Sequence, residues 1–149
     1  MNEAEILAYL AGLIDGEGSI TILKASAKNE LYKPRLDICS IHKPFLEEIA
    51  GLLETLGVKS FFLQERTIPP NHSKAYHLIV AGQRRLLKLL PKLLPYLRLK
   101  RKQAELVIEY CLSRIQRSHK GPNPSRGLNQ REKKIIAMIR ELNRRGRRS

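Results

Sequence analysis

Asp15-Gly16-Glu17-Gly18 places two carboxylates and two glycines in four consecutive residues. They follow a run in which Ile6, Leu7, Leu10, Leu13 and Ile14 recur at helical spacing, so the acids fall where that helix, about Glu3 to Asp15, should end. Negative charge is poorly placed there, because the last carbonyls of a helix already carry partial negative charge. The glycines leave little bulk around Glu17. Acidic oxygens gathered beside free carbonyls make a hard-oxygen site of the kind Mg²⁺ takes. A glycine-terminated helix with two solvated acids is the competing reading of the same residues.

The charge of the whole chain narrows the partner. Across 149 residues, 28 Lys and Arg face 14 Asp and Glu, a formal net charge of +14. Such an excess points to a polyanion, with nucleic acid ahead of an acidic membrane. An apolar content of 42% argues against disorder, and the length suits one domain with a core of its own. Cys39 and Cys111 lie far apart and neither has a second Cys at ligand spacing, so no zinc site or disulfide framework is legible. The acidic start Met1-Asn2-Glu3-Ala4-Glu5 lacks the basic region of a signal peptide. The leucines from Leu86 to Leu97 are interrupted by Lys88, Pro91, Lys92 and Pro95, too often to span a bilayer. The expectation is a soluble, cytoplasmic or otherwise intracellular protein with no membrane partner.

The elements that must hold the acids can be read from periodicity. After Gly18 the pattern changes to period two, with Ile20 and Ile22, then Leu36 and Ile38, alternating with polar residues. This predicts strands at about 19–27 and 32–41. Pro44 opens a helix that Gly57 stops. Strands at about 58–66 and 74–81 follow, divided by Pro69-Pro70-Asn71-His72-Ser73. Gly82 leads into a helix ending near the prolines, and another runs from about Lys100 to Arg117. Asn129 and Glu132 have the spacing of a capping box for a last helix. The expected fold is α+β: an α-β-β-α-β-β-α core with a four-stranded antiparallel sheet, helices on one face, and additional C-terminal helices. The expected divisions are a core at 1–118, a linker at 119–128 and a C-terminal helix with a mobile basic tail at 129–149.

Leu10-Ala11-Gly12-Leu13-Ile14-Asp15-Gly16-Glu17-Gly18 resembles the LAGLIDADG motif of homing endonucleases, departing from it only at Gly16 and Glu17. The element order is similar to that family's core. The resemblance implies an intron-encoded, site-specific nuclease that hydrolyses both strands of a DNA duplex with Mg²⁺, whose place Mn²⁺ or Ca²⁺ can take. It implies that Glu17 and the Gly16 carbonyl bind the metal and that Asp15 caps a helix end. Leu97-Arg98-Leu99-Lys100-Arg101-Lys102-Gln103-Ala104 resembles the segment carrying the family's catalytic lysine, which falls on Lys100, with Lys102 as the second choice. A glutamine that relatives place at the end of the second strand is missing; Ser40, His42 and Lys43 stand near that position.

One motif copy and two strand cleavages together imply a homodimer. A stripe along the first helix offers the close-packing surface: Ala4, Leu7, Ala8, Ala11, Gly12 and Asp15. Duplex readout would fall to the open sheet face and its loops, with candidates Thr21, Lys24, Lys28, Asn29, Tyr32, Lys33, Arg35, Asp37, Gln64, Arg66, His72, Lys74 and His77. The rival reading is a maturase that binds intron RNA, or a non-cleaving DNA-binding protein, on the same scaffold.

Overall fold

The computed structural model describes residues 1–25, 31–65, 74–118 and 127–148. Its elements in chain order are α1 (Glu3–Glu17), β1 (Gly18–Lys24), β2 (Tyr32–Ser40), α2 (Lys43–Thr55), β3 (Phe61–Gln64), β4 (Tyr76–Ala81), α3 (Gln83–Leu93), α4 (Arg101–Ser118) and α5 (Gln130–Arg148). The strands form one antiparallel sheet in the order β1-β2-β4-β3. The α+β fold expected from the sequence is the fold observed. No helix among the described residues is long and apolar enough to cross a membrane.

Strand parity decides what the sheet does with its two faces. Ile20, Leu36 and Val80 stand side by side across β1, β2 and β4, as do Ile38 and Leu78 in the next row. They are buried against Leu10, Ile14, Leu46, Leu53, Leu86 and Leu90 of the helices, forming a single core. The opposite face carries Thr21, Arg35, Asp37, Cys39 and His77. Ile79, on that same face opposite Asp37 and Phe61, is fully buried yet lies outside the main core. β3 is shorter than expected, and all four of its residues are exposed.

α1 begins with a capping box that the sequence analysis missed: Asn2 Oδ1 accepts from Glu5 N at 2.8 Å, and Glu5 Oε1 accepts from Asn2 N at 2.9 Å. The helix runs two residues past the expected end, so Gly16 and Glu17 belong to its last turn. α3 includes Pro91 and ends at Leu93, near the prolines as expected. Residues 143–148, expected to be a mobile tail, continue α5. Asn143 Nδ2 donates to Ile20 O at 3.2 Å, so α5 lies along β1 and covers an edge that would otherwise be free.

α5 is anchored at its start by a buried carboxylate. The capping box expected there forms: Glu132 N donates to Asn129 Oδ1 at 2.7 Å and Asn129 N to Glu132 Oε1 at 3.0 Å. Glu132 is fully buried and also accepts from Ser113 Oγ at 2.6 Å and pairs with Arg114 and Arg117 of α4. Burial works to raise its carboxyl pKa, but the bonds from Ser113, Asn129 and Arg117 outweigh it and hold the pKa below the ordinary 4.5. The stability this group contributes is therefore complete above pH 4.5 and lost as pH falls through the lower folded-state value. Glu132→Ala is expected to cost about 3 kcal/mol, because it removes the buried carboxylate that Ser113, Arg114 and Arg117 share. Thermal melts at neutral pH would read that loss directly, and an unchanged melting temperature would contradict it.

Candidate functional site

The end of α1 is held in place by Asp15. Its carboxylate accepts three backbone N–H groups from the segment before α4: Arg98 at 2.8 Å, Leu99 at 3.1 Å and Lys100 at 3.0 Å. These residues lead directly into α4, and a negative charge suits the start of a helix. From the last turn of its own helix, Asp15 thus ties down the segment leading into α4, 83–85 residues further along the chain. In return Lys100 Nζ donates to Asp15 O at 2.8 Å, placing a cation against the last carbonyls of α1. Burial pushes the Lys100 ammonium below the usual lysine pKa, against the upward pull of Asp15 and Glu17.

Gly18 sets the direction in which Glu17 leaves the helix. Its N–H donates to Ile14 O, and its backbone is extended. A Cβ on Gly18 would stand 2.9 Å from Ile14 Cα and 3.0 Å from Ile14 O, both backbone atoms that cannot yield. A Cβ on Gly16 would meet nothing within 4 Å. Gly18→Ala is therefore expected to lower stability by about 1–3 kcal/mol and Gly16→Ala to leave it nearly unchanged. Urea titration checks this: the midpoint should fall for the first variant alone, and equal midpoints would show that the close approach is not required.

Glu17 itself is exposed and has no hydrogen-bond or ion-pair partner among the described residues. It lines a groove of about 640 Å³ together with Lys100, Thr21, Arg35, Asp37 and Gln103. The donor set suits a divalent hard cation: a carboxylate that nothing else engages, the backbone of Gly16 open to solvent, and water or phosphate for the remaining positions. Asp15 is unsuited to direct ligation, because both of its oxygens are engaged by backbone.

The remaining expected site residues divide. Thr21, Lys33, Arg35, Asp37 and His77 share the open face. Lys24 and Gln64 have the parity of the core residues and sit at strand ends, and of the two Lys24 still lines the groove. Tyr32 pairs with Lys24, packs against the core, accepts from Tyr110 Oη at its carbonyl at 2.9 Å, and lies under the Arg140 guanidinium of α5. It is a packing residue, because its strand position turns it toward α4 and α5. Lys74 is exposed just before β4. Lys28, Asn29, Arg66 and His72 lie outside the described residues.

Of the stripe on α1, Leu7 and Ala11 are buried in the chain's own core and Asp15 turns to residues 98–100. Helical phase puts Leu7, Ala11 and Ile14 on the inner face, leaving Ala4, Ala8 and Gly12 exposed on the outer one. Ser40 Oγ accepts from His42 N at 3.0 Å, and Lys43 lies over the Phe62 and Tyr76 rings; neither they nor His42 line the groove. The residue that sequence reasoning missed is Gln103, one turn after Lys100 on α4. It is buried and lines the groove, and its Oε1 has no hydrogen-bond partner among the described residues.

Comparisons with known proteins agree on one scaffold. Residues 4–93 match the family described as LAGLIDADG-like domain. No curated protein matches the chain. Among solved structures it is similar to the homing endonuclease I-CvuI in complex with its target in the presence of Ca, at 23% identity over 95% of this chain and 85% of that one, with a TM-score of 0.70. The archaeal intron-encoded homing endonuclease I-Vdi141I, complexed with DNA, is similar at 22% identity over 95% and 86%, with a TM-score of 0.69. The group I intron-encoded homing endonuclease I-CeuI, also complexed with DNA, gives 17% identity, coverage of 80% and 60%, and a TM-score of 0.59. At such identities the structural likeness establishes the fold.

Proposed function

The chain belongs to the LAGLIDADG-like family, and on that premise we propose that it is a site-specific endonuclease that cuts double-stranded DNA as a homodimer with divalent metal. The observation that carries this reading is the unengaged Glu17 carboxylate at the end of α1, with Lys100 fixed beside it by Asp15. A purely DNA-binding role needs neither group.

Glu17 and the Gly16 carbonyl would hold the ion, Mg²⁺ in the working enzyme, with Mn²⁺ or Ca²⁺ able to occupy the same place. When bound, the ion supplies polarisation of the scissile phosphate and a lowered pKa for the attacking water. The Lys100 ammonium would offset the negative charge that grows on the phosphate, and its bond to Asp15 O already orients it, so little reorganisation would be needed at the moment of reaction. Gln103 Oε1 offers an acceptor that can orient a groove water. No described side chain is placed as a general base, so the proton passes to solvent.

One motif serves one strand, and a second copy related by a two-fold axis would serve the other. The exposed Ala4, Ala8 and Gly12 form the surface on which two α1 helices can approach closely. The open face supplies readout: Arg35 suits a guanine edge, at about 1–3 kcal/mol per good bidentate pair, while Lys33 suits phosphate. An isologous dimer reads an approximately palindromic site. Incubation with a randomised duplex library and Mg²⁺, followed by sequencing of the cut ends, tests the function. Convergence on one long, roughly two-fold site is expected. Failure to nick any duplex, together with stimulation of intron splicing, would replace the nuclease with an RNA-binding maturase.

A further inference from the structure

We propose that Cys39, Glu65 and His77 form a second metal site, for a thiophilic divalent cation of the zinc class, on the open sheet face. The site shares the groove that Glu17 lines but is built from other ligands, and it does not depend on the nuclease reading. Cys39 of β2 and His77 of β4 are direct cross-strand partners, and Glu65 follows β3, its N–H donating to Ala75 O at 2.9 Å. One ligand atom from each of the three lies within 4.8 Å of the others.

The histidine is already oriented as a metal ligand. Asp37 engages Nδ1, with its oxygens at 2.8 and 3.1 Å, which turns Nε2 toward Cys39 Sγ at 3.9 Å and Glu65 Oε1 at 2.7 Å. A carboxylate on one ring nitrogen with metal on the other is the recurring outer-shell arrangement at zinc sites. Tetrahedral zinc bonds of ordinary length place sulfur and nitrogen ligands about 3.5 Å apart, and nitrogen and oxygen ligands about 3.3 Å apart. The Cys39–His77 separation needs to close by a few tenths of an ångström. The Glu65 side chain, which is 55% exposed, is free to move outward by about as much. Water completes the fourth position.

Without an ion, His77 lies between the Asp37 and Glu65 carboxylates, which outweigh burial and raise its pKa. Taking up the cation displaces the Nε2 proton and the Cys39 thiol proton to solvent, leaving neutral imidazole, thiolate and carboxylate as ligands. The ion would tie β2, β4 and the residue after β3 together, which matters because β3 has no buried side chain to hold it.

Titration of the DNA-free full chain with Co²⁺, followed by absorption, tests the proposal. Expected are visible bands of a tetrahedral ion and a sulfur-to-cobalt charge-transfer band, saturating at one ion per chain and reversed by excess Zn²⁺. Cys39→Ser should abolish the charge-transfer band, Asp37→Asn should weaken binding about 10–100-fold, and Glu17→Gln should leave the spectrum unchanged. Absence of the charge-transfer band in the parent chain would overturn the site outright. So would a spectrum that survives Cys39→Ser or disappears in Glu17→Gln.

Discussion

Glu17→Gln is expected to reduce Mg²⁺-dependent cleavage of the cognate duplex by at least about 10³-fold while leaving duplex binding within a few-fold of the parent. The substitution keeps size and hydrogen-bonding capacity and removes only the charge that holds the ion. Glu17 has no partner within the described part of the chain, so nothing in the fold should respond. Affinity rests on the basic face and on the large positive charge, which one added positive unit barely alters. Gel-shift and cleavage assays on the same duplex separate the two effects. Equal loss in both would mean that Glu17 contributes to binding instead of chemistry.

Gly12→Arg should be the second severe variant, through assembly. A Cβ at Gly12 would meet nothing within 4 Å, and Arg is the better helix former by about 0.8 kcal/mol, so the single chain should fold at least as well. Between two α1 helices packed on their small residues, the same side chain would separate the backbones and leave two facing positive charges. Double-strand cleavage is expected to fall by more than about 100-fold, with sedimentation shifting to one chain per particle. Full activity from a variant that sediments as the parent does would remove α1 from the interface.

These two expectations rest on residues that could be found in the sequence, because what makes them informative is local. Gly16, Glu17 and Gly18 follow a helix of clear period and lead into a strand of clear period, so their placement needs no knowledge of the rest of the chain. Lys100 came only through resemblance to a family segment. The residue that positions it, Asp15, was read as a cap, but the segment it ties down lies more than 80 residues later, and no periodicity connects the two.

Parity and tertiary context account for the differences between what the sequence suggests and where the structure places these residues. Leu7 and Ala11 looked like part of a small-residue surface, yet helical phase places them on the core side with Ile14. Lys24, Tyr32 and Gln64 are polar enough to read DNA, but a shift of one position along a strand moves a side chain to the other face. Gln103 had no signal at all, since its buried, unpartnered oxygen exists only once α4 lies beside β1 and α5. The pairing of Cys39 with His77 depends on the β2–β4 register, which no spacing of cysteines reveals.

The central claim is that Glu17 grips a divalent ion where the duplex is cut. Anomalous scattering from crystals of the parent chain grown with cognate duplex and Mn²⁺ tests it most directly. A peak is expected about 2.1 Å from a Glu17 carboxylate oxygen and equally close to a DNA phosphate oxygen. Strong metal peaks elsewhere, with Glu17 pointing into solvent and no ion beside it, would contradict the account.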